Sequence, residues 1–191
     1  MTATRRNFRE ILEKEFGILH IACHGVTSEA VKDRPMHRRN LSSQADPEDA
    51  GLENAYLIFE SNDGDAEAID GLEFKNIMKR ASKKQLIILQ ACDSEEIGKL
   101  FVRNGAVNVI CVKKGRKVLD EAAIIFSRNL YQMLFKGYSV EHAFQVARDL
   151  TRDELGSDKE HEVELFAHIK DQSQESVPLF SATDLLSNQG G

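Results

Sequence analysis

The chain has 191 residues, of which 41% are hydrophobic, a size and composition that suit one domain with a substantial core. Its formal net charge is −6, which argues against a dedicated nucleic-acid binder because such proteins carry a basic stripe. No apolar run approaches the roughly 20 residues of a membrane span, and the polar N-terminal segment lacks the pattern of a secretory signal.

Hydrophobic periodicity predicts alternating helices and strands along the chain. In the first half of the chain we predict a helix over 4–15, a strand over 18–23, a long polar loop over 26–54, a strand over 55–59 and a helix capped by Asp70 and running to Ala81. A strand over 85–91, a helix over 95–104 and a strand over 107–112 follow. The second half then has helices over 119–135 and from the cap Ser139 to about Leu150, and two short strand-like pieces over 163–169 and 177–180.

This alternation indicates one α/β domain over residues 1–186, with a mostly parallel sheet and helices on both faces. The loop over 26–54 is long for a compact domain, and we expect it to be flexible or functional. The tail over 187–191 is expected to be disordered.

Two apolar strands end in reactive side chains. The first is followed by His24-Gly25, and the second leads into Cys92. Ligands of open α/β sheets bind at the carboxyl ends of the strands, and a thiol with an imidazole is the minimum set for cysteine nucleophile catalysis. The helix predicted to follow Cys92 would favour the thiolate.

Each reactive residue also has a structural interpretation. A free cysteine is usually a buried core residue, which fits Cys23 and Cys111 within apolar strand sequence better than Cys92 beside polar neighbours. Three cysteines without a secretory signal are expected to be reduced, as in the cytoplasm. His20, four residues before His24, is expected to be structural, and Gly25 would let a substrate approach its backbone N–H.

Metal binding and nucleotide binding are the other chemistries to weigh. Zinc is disfavoured because no CxxC pair exists and because Cys23 and His24 would face opposite sides of a strand. A nucleotide- or small-molecule-binding domain is disfavoured because no glycine-rich phosphate loop follows a strand. We therefore expect neither a metal nor a cofactor.

The motifs resemble the caspase-like cysteine peptidases, and within that clan the CHAT family. The His-Gly strand, the Ala-Cys strand, a Gly-Ala-x-x-Val-Ile strand and a long helical segment occur in the family's order, over Ile18–Gly25, Leu86–Ser94, Asn104–Ile110 and Asp120–Arg148.

The resemblance implies a three-layer caspase-like sandwich and a cysteine endopeptidase with a Cys-His dyad. His24 would be the general base, Cys92 the nucleophile, and the N–H groups of Gly25 and Cys92 the oxyanion hole. The enzyme would hydrolyse a peptide bond of a protein substrate through a thioester. Gln90, placed like the glutamine of the caspase Gln-Ala-Cys signature, and Asp93 would bind substrate, Asp93 biasing the site toward a cationic side chain.

One departure concerns the start of the sheet. Caspase-like sheets have strands before the His strand, and no strand is evident in Met1–Gly17. The chain would then be a fragment, have a reduced sheet, or take strands from a partner; an uncovered edge would favour oligomerisation. We expect control by a regulatory partner or an attached domain. The alternative is a catalytically silent module of the same fold that serves protein–protein assembly.

Overall fold

The fold is described from a computed structural model, which defines residues 4–15, 17–27, 52–61, 63–78, 83–173 and 177–180. The predicted tail over 187–191 and most of the predicted loop over 26–54 lie outside these residues. The described residues form five α-helices and seven β-strands. The helices are α1 (Arg5–Glu13), α2 (Gly71–Met78), α3 (Glu95–Arg103), α4 (Asp120–Phe135) and α5 (Val140–Leu155); the strands are β1 (Ile18–Ala22), β2 (His24–Thr27), β3 (Ala55–Glu60), β4 (Ala66–Asp70), β5 (Leu86–Gln90), β6 (Asn108–Val112) and β7 (Phe166–Lys170).

A four-stranded sheet with the order β1-β5-β6-β7 forms the centre of the domain. Strands β1, β5 and β6 are parallel, and β7 is antiparallel to β6. The apolar runs explain this arrangement: every residue of β6 is buried, as are the first four of β5, so both strands are covered on both faces. The predicted α/β fold with a mostly parallel sheet is confirmed.

Helices cover both faces of the central sheet. Ile87 and Leu89 of β5 point into one core with α1, α2 and α3, and Leu86 and Ile88 point into the other with α4 and α5. This alternation follows the two-residue period of a strand. The result is the three-layer sandwich that the sequence predicted.

A second, antiparallel sheet with the order β2-β3-β4 corrects the predicted organisation of the N-terminal half. Sequence reasoning found β3, but it assigned residues 26 and 27 to a loop and did not predict β4. Both missed strands are short and only partly buried, so they lack the apolar run that revealed the central strands. The small sheet joins the first core through Phe8 of α1, whose ring centroid lies 5.3 Å from Phe59 and 5.2 Å from Phe74.

Polar N-cap residues lie at the starts of three helices, close to the predicted bounds. The side chains of Thr4, Asp70 and Ser139 each accept a backbone N–H from the first turn of their helix. The piece predicted as a strand over 163–169 instead divides into a 3-10 helix, Glu160–Leu165, and β7. The piece over 177–180 forms one antiparallel bridge, from Pro178 to Ser139.

Strand β1 is an edge of the central sheet, since within the described residues it pairs with β5 alone. Before β1 the described chain forms α1 and a single parallel bridge between Thr4 and Glu60, so no strand of the central sheet precedes the His strand there. None of the described helices has the length and apolar character needed to cross a membrane.

Replacing Phe126 of α4 tests the core between the sheet and the C-terminal helices. Its fully buried ring stacks on Phe166 at 4.2 Å and meets Phe144 edge-on at 5.8 Å. We expect Phe126→Ala to lower the free energy of unfolding by about 3–5 kcal/mol in urea denaturation. Ile124→Ala, on the same helix but 67% exposed, should change it by less than about 0.5 kcal/mol; equal losses would contradict this packing.

Candidate functional site

The two predicted site segments meet through backbone contact at Gly25. A Cβ atom built on Gly25 would overlap the carbonyl oxygen of Cys92 and lie 2.8 Å from its carbonyl carbon and 3.0 Å from its nitrogen. Side-chain carbon atoms do not approach backbone this closely, so this position requires glycine. The structure therefore brings the His-Gly segment and the Cys92 segment together at one edge of the central sheet.

His24 enters this site from the small sheet rather than from the end of β1. A single residue, Cys23, separates β1 from β2, and it donates its N–H to the Gln90 carbonyl over 3.2 Å. His24 is exposed and Cys92 is half-buried. Among the described residues neither the His24 ring nor the Cys92 thiol has a hydrogen-bond partner.

The turn around Cys92 has unusual backbone geometry. Asp93 adopts a φ of 54°, a left-handed conformation that is uncommon outside glycine and that recurs at functional sites. No acceptor for the Cys92 N–H occurs in the described part of the chain. Helix α3 begins at Glu95, so Asp93 and Ser94 separate the thiol from the helix.

The other two thiols are chemically unsuited to attack. Burial raises the pKa of Cys23 to about 12 and that of Cys111 to about 12, so both thiols remain protonated at neutral pH. Because the thiolate is the attacking form, this singles out Cys92 among the three cysteines. The predicted core role of Cys111 is confirmed by its complete burial.

Gln90 belongs to a hydrogen-bonded network beneath Cys92. Its Nε2 donates to the Ala123 carbonyl at 2.8 Å and to the Ser127 hydroxyl, so its Oε1 must be the atom 3.0 Å from His20 Nε2. His20 Nε2 then carries the proton, and its Nδ1 accepts the Tyr131 hydroxyl at 3.1 Å. The network ties β1 and β5 to α4.

The environment of His20 favours the neutral form of its ring. One edge of the ring reaches solvent, but burial of the remainder lowers the pKa of His20 below its ordinary value despite the Gln90 contact, which raises it. Sequence reasoning did not identify Tyr131 or Ser127 as neighbours of the site. The sequence pattern of α4 does not show that these two residues contact β1 and β5, because that contact depends on how the helix packs on the sheet.

A basic turn, residues 113–117, contacts Asp93, the residue after Cys92. Asp93 N–H donates to the Arg116 carbonyl over 3.0 Å, and Gly115 N–H donates to the Asp93 carboxylate. The composition of this turn, Lys-Lys-Gly-Arg-Lys, is the sequence feature that indicates it, and the sequence prediction did not include it.

Below the site, Ser94 joins the ends of the two central strands. Its fully buried hydroxyl accepts the Val112 N–H at 3.1 Å and contacts the Leu89 carbonyl at 3.5 Å. Glu95 accepts the Lys114 N–H at 2.9 Å, and this bond lowers the pKa of its carboxyl group. The turn after Cys92 is thus fixed to β6 and to the loop that follows it.

Comparison with known proteins agrees with the arrangement of these segments. The sequence model of the CHAT domain family matches residues 1–171. The chain belongs to the CHAT domain family. Membership of this family places the chain among the caspase-like peptidases. The matched residues include both segments of the candidate site.

A curated relative carries the name Roc-COR-CHAT protease and comes from an unknown prokaryotic organism. It is 31% identical to this chain over 98 residues, which are 48% of this chain and 9% of the relative. This CHAT chain therefore matches less than a tenth of the relative's length, and the name of the relative indicates further domains in that protein.

Gly25→Ala tests the backbone contact at the candidate site. The added methyl group would collide with the Cys92 carbonyl, so the two segments must separate. We expect labelling of Cys92 by a peptidyl electrophile to fall by at least about tenfold, because a misplacement of about 1 Å can cost about 100-fold in rate. Gly17→Ala is the matched control because its Cβ would have no neighbour within 4 Å; equal labelling of both variants would contradict the contact.

The pH dependence of stability tests the His20 network. Because burial lowers the folded-state pKa of His20, the unfolded chain binds the proton more readily, and stability is lost as pH falls below the unfolded pKa of about 6.5. The slope of unfolding free energy against pH should be smaller in His20→Gln. The pKa of His168 is also lowered by burial, so part of the slope persists. His142→Gln, at an exposed position, should keep the full slope; an unchanged slope in His20→Gln would argue against the network.

Proposed function

We propose that this CHAT domain is a cysteine endopeptidase in which Cys92 is the nucleophile and His24 the general base. The contact between Gly25 and the Cys92 backbone carries the proposal, because it joins the two segments that hold the dyad. The high pKa values of Cys23 and Cys111 support the choice of Cys92 over the other thiols.

The reaction would begin with proton transfer from the Cys92 thiol to His24. The Cys92 Sγ then attacks the carbonyl carbon of the scissile peptide bond, and the carbonyl oxygen becomes an oxyanion. His24 gives its proton to the leaving nitrogen as the C–N bond breaks, which releases the amine and leaves a thioester. Water, deprotonated by His24, attacks the thioester; the C–S bond breaks, and the thiolate recovers the proton as the acid product leaves.

The proposed oxyanion hole consists of the backbone N–H groups of Gly25 and Cys92. Support comes from the Cys92 N–H, which has no acceptor in the described part of the chain, and from the absence of a side chain at Gly25. Donors fixed before the reaction stabilise developing charge without reorganisation, and removal of one such donor typically costs about 10²–10³ in kcat.

Gln90 and Asp93 are the proposed substrate-binding residues. Gln90 would form the wall of a pocket with its side-chain atoms, since its amide group is bonded to His20, Ala123 and Ser127. Asp93 would act through its charge while its carboxylate accepts the Gly115 N–H. The substrate would be a protein, cleaved in the cytoplasm.

Regulation is proposed to come from an attached domain or a partner. The relative named Roc-COR-CHAT protease supports this, because the matched segment is only 9% of that protein. A partner or a second copy would also cover the edge of β1 that pairs with no strand in the described part of the chain.

Labelling with a peptidyl acyloxymethyl ketone tests the dyad. The Cys92 Sγ should displace the carboxylate leaving group and form a thioether, detected by mass spectrometry of the intact chain and its peptides. Cys92→Ala should abolish labelling, and His24→Ala should reduce it at least about 100-fold, the low end of general base catalysis. Cys23→Ala is the control and should label like the parent.

His24→Ala should also keep the melting temperature of the parent, because His24 is exposed and buries little apolar area. A loss of several degrees would favour a structural role for His24. Failure of every peptidyl ketone to label Cys92, in this chain and in one that carries the attached domains, would overturn the enzyme proposal and favour a silent assembly module.

A further inference from the structure

The basic turn over 113–117 is the remaining charged feature in direct contact with the candidate site. It carries four cations in five residues, in a chain whose net charge is −6. Arg116 N–H donates to the Lys113 carbonyl at 3.2 Å, and Gly115 has a positive φ of 69°, as expected for glycine in a tight turn. All four cationic residues are exposed.

We propose that this basic turn binds acidic side chains of the substrate peptide; the inference rests on the proposed endopeptidase function and specifies its substrate class. The bond from the Asp93 N–H to the Arg116 carbonyl and the bond from the Gly115 N–H to the Asp93 carboxylate fix the turn beside Cys92. A peptide whose carbonyl carbon reaches the Cys92 thiol must pass within the range of these cations.

The acids Glu95, Glu96 and Glu121 are paired mainly with cations outside the turn, Lys99 and Lys159, and Lys114 is the turn's one cation in these pairs. Lys99 pairs with Glu95 and Glu96 at 3.1 Å each, and Lys114 lies 3.7 Å from Glu96. Glu121 pairs with Lys159 at 2.6 Å. These contacts pair three acidic residues in the first turns of α3 and α4.

Three cations of the turn remain available to a ligand. In the described ranges none of Lys113, Arg116 and Lys117 takes part in an ion pair. They are opposed by Asp93 and by Asp120, the latter at the first residue of α4, where the helix dipole already offsets its charge. The net local charge is positive, so the cationic preference predicted from Asp93 alone should be reversed.

An acidic peptide explains these cations better than a nucleic acid does. They occupy one turn beside a thiol rather than a stripe along the surface, and the chain as a whole is acidic. A nucleic acid would be repelled by most of the remaining surface, whereas a single peptide side chain would meet the turn alone.

The test uses three pools of tetrapeptide acyloxymethyl ketones that carry Glu, Gln or Lys at one position and the same residue mixture elsewhere. The measured quantity is the rate of Cys92 labelling. We expect the Glu pool to label at least about fivefold faster than the Lys pool, the range of a few exposed ion pairs. The ratio should fall toward one as salt rises from about 0.05 M to about 0.5 M, because salt screens exposed charges.

Charge reversal supplies the matched variants. Arg116→Glu with Lys117→Glu should abolish or invert the ratio between the Glu and Lys pools. Lys136→Glu with Lys170→Glu changes the net charge equally, at the C-cap of α4 and at the register position opposite Asn108, at the start of β6. This control should keep the parent ratio.

The outcomes separate the two proposals. Equal labelling by all three pools, or faster labelling by the Lys pool, would overturn the acidic preference and leave the endopeptidase proposal standing. Inhibition by a short RNA oligonucleotide with no discrimination among the pools would assign the turn to nucleic acid instead. No labelling by any pool would overturn the endopeptidase proposal and, with it, this one.

Discussion

The absence of a side chain at Gly25 is the constraint on which the candidate site depends. The central sheet ends at β1 and the small sheet starts at β2, and Cys23 alone separates them. The N–H of Cys23 adds one more hydrogen bond to the β1–β5 ladder before the chain leaves for the second sheet. The next two residues, His24 and Gly25, therefore pass directly over the turn that contains Cys92, and only a glycine fits at the point of closest contact.

This junction explains how a single fold provides two different environments for thiols. Cys23 and Cys111 pack in or against the first core, where desolvation favours the protonated form. Cys92 lies one residue beyond the buried Ala91, in a turn whose following residue has a left-handed conformation. The apolar run that forms β5 is thus followed, at the edge of the sheet, by a half-buried thiol. Its support is polar: Gln90 is bonded to α4, and Ser94 is bonded to β6.

The sequence predicted those helices and strands whose buried residues form a recognisable apolar pattern. The runs that became β5 and β6 are apolar on both faces, and the caps Thr4, Asp70 and Ser139 lie where the helices begin. The small sheet escaped prediction because β2 and β4 are short and half-buried, so their side chains neither alternate clearly nor form an apolar run. The contact of His20 with Tyr131 joins residues 111 positions apart, and no local pattern encodes such a pair.

Two separate elements contact the Cys92–Asp93 turn and would meet different requirements of the proposed peptidase. Gly25 and His24 belong to β2, whose partner strand β3 is anchored by Leu57 and Phe59 in the first core. The basic turn follows β6, the most deeply buried strand of the central sheet. The proposed catalytic segments meet through backbone contact, whereas Lys113, Arg116 and Lys117 are exposed and form no ion pair among the described residues. The turn contributes main-chain atoms to its two hydrogen bonds with Asp93, so these three side chains could change charge without loss of those bonds, and the proposed substrate preference would vary independently of the proposed reaction.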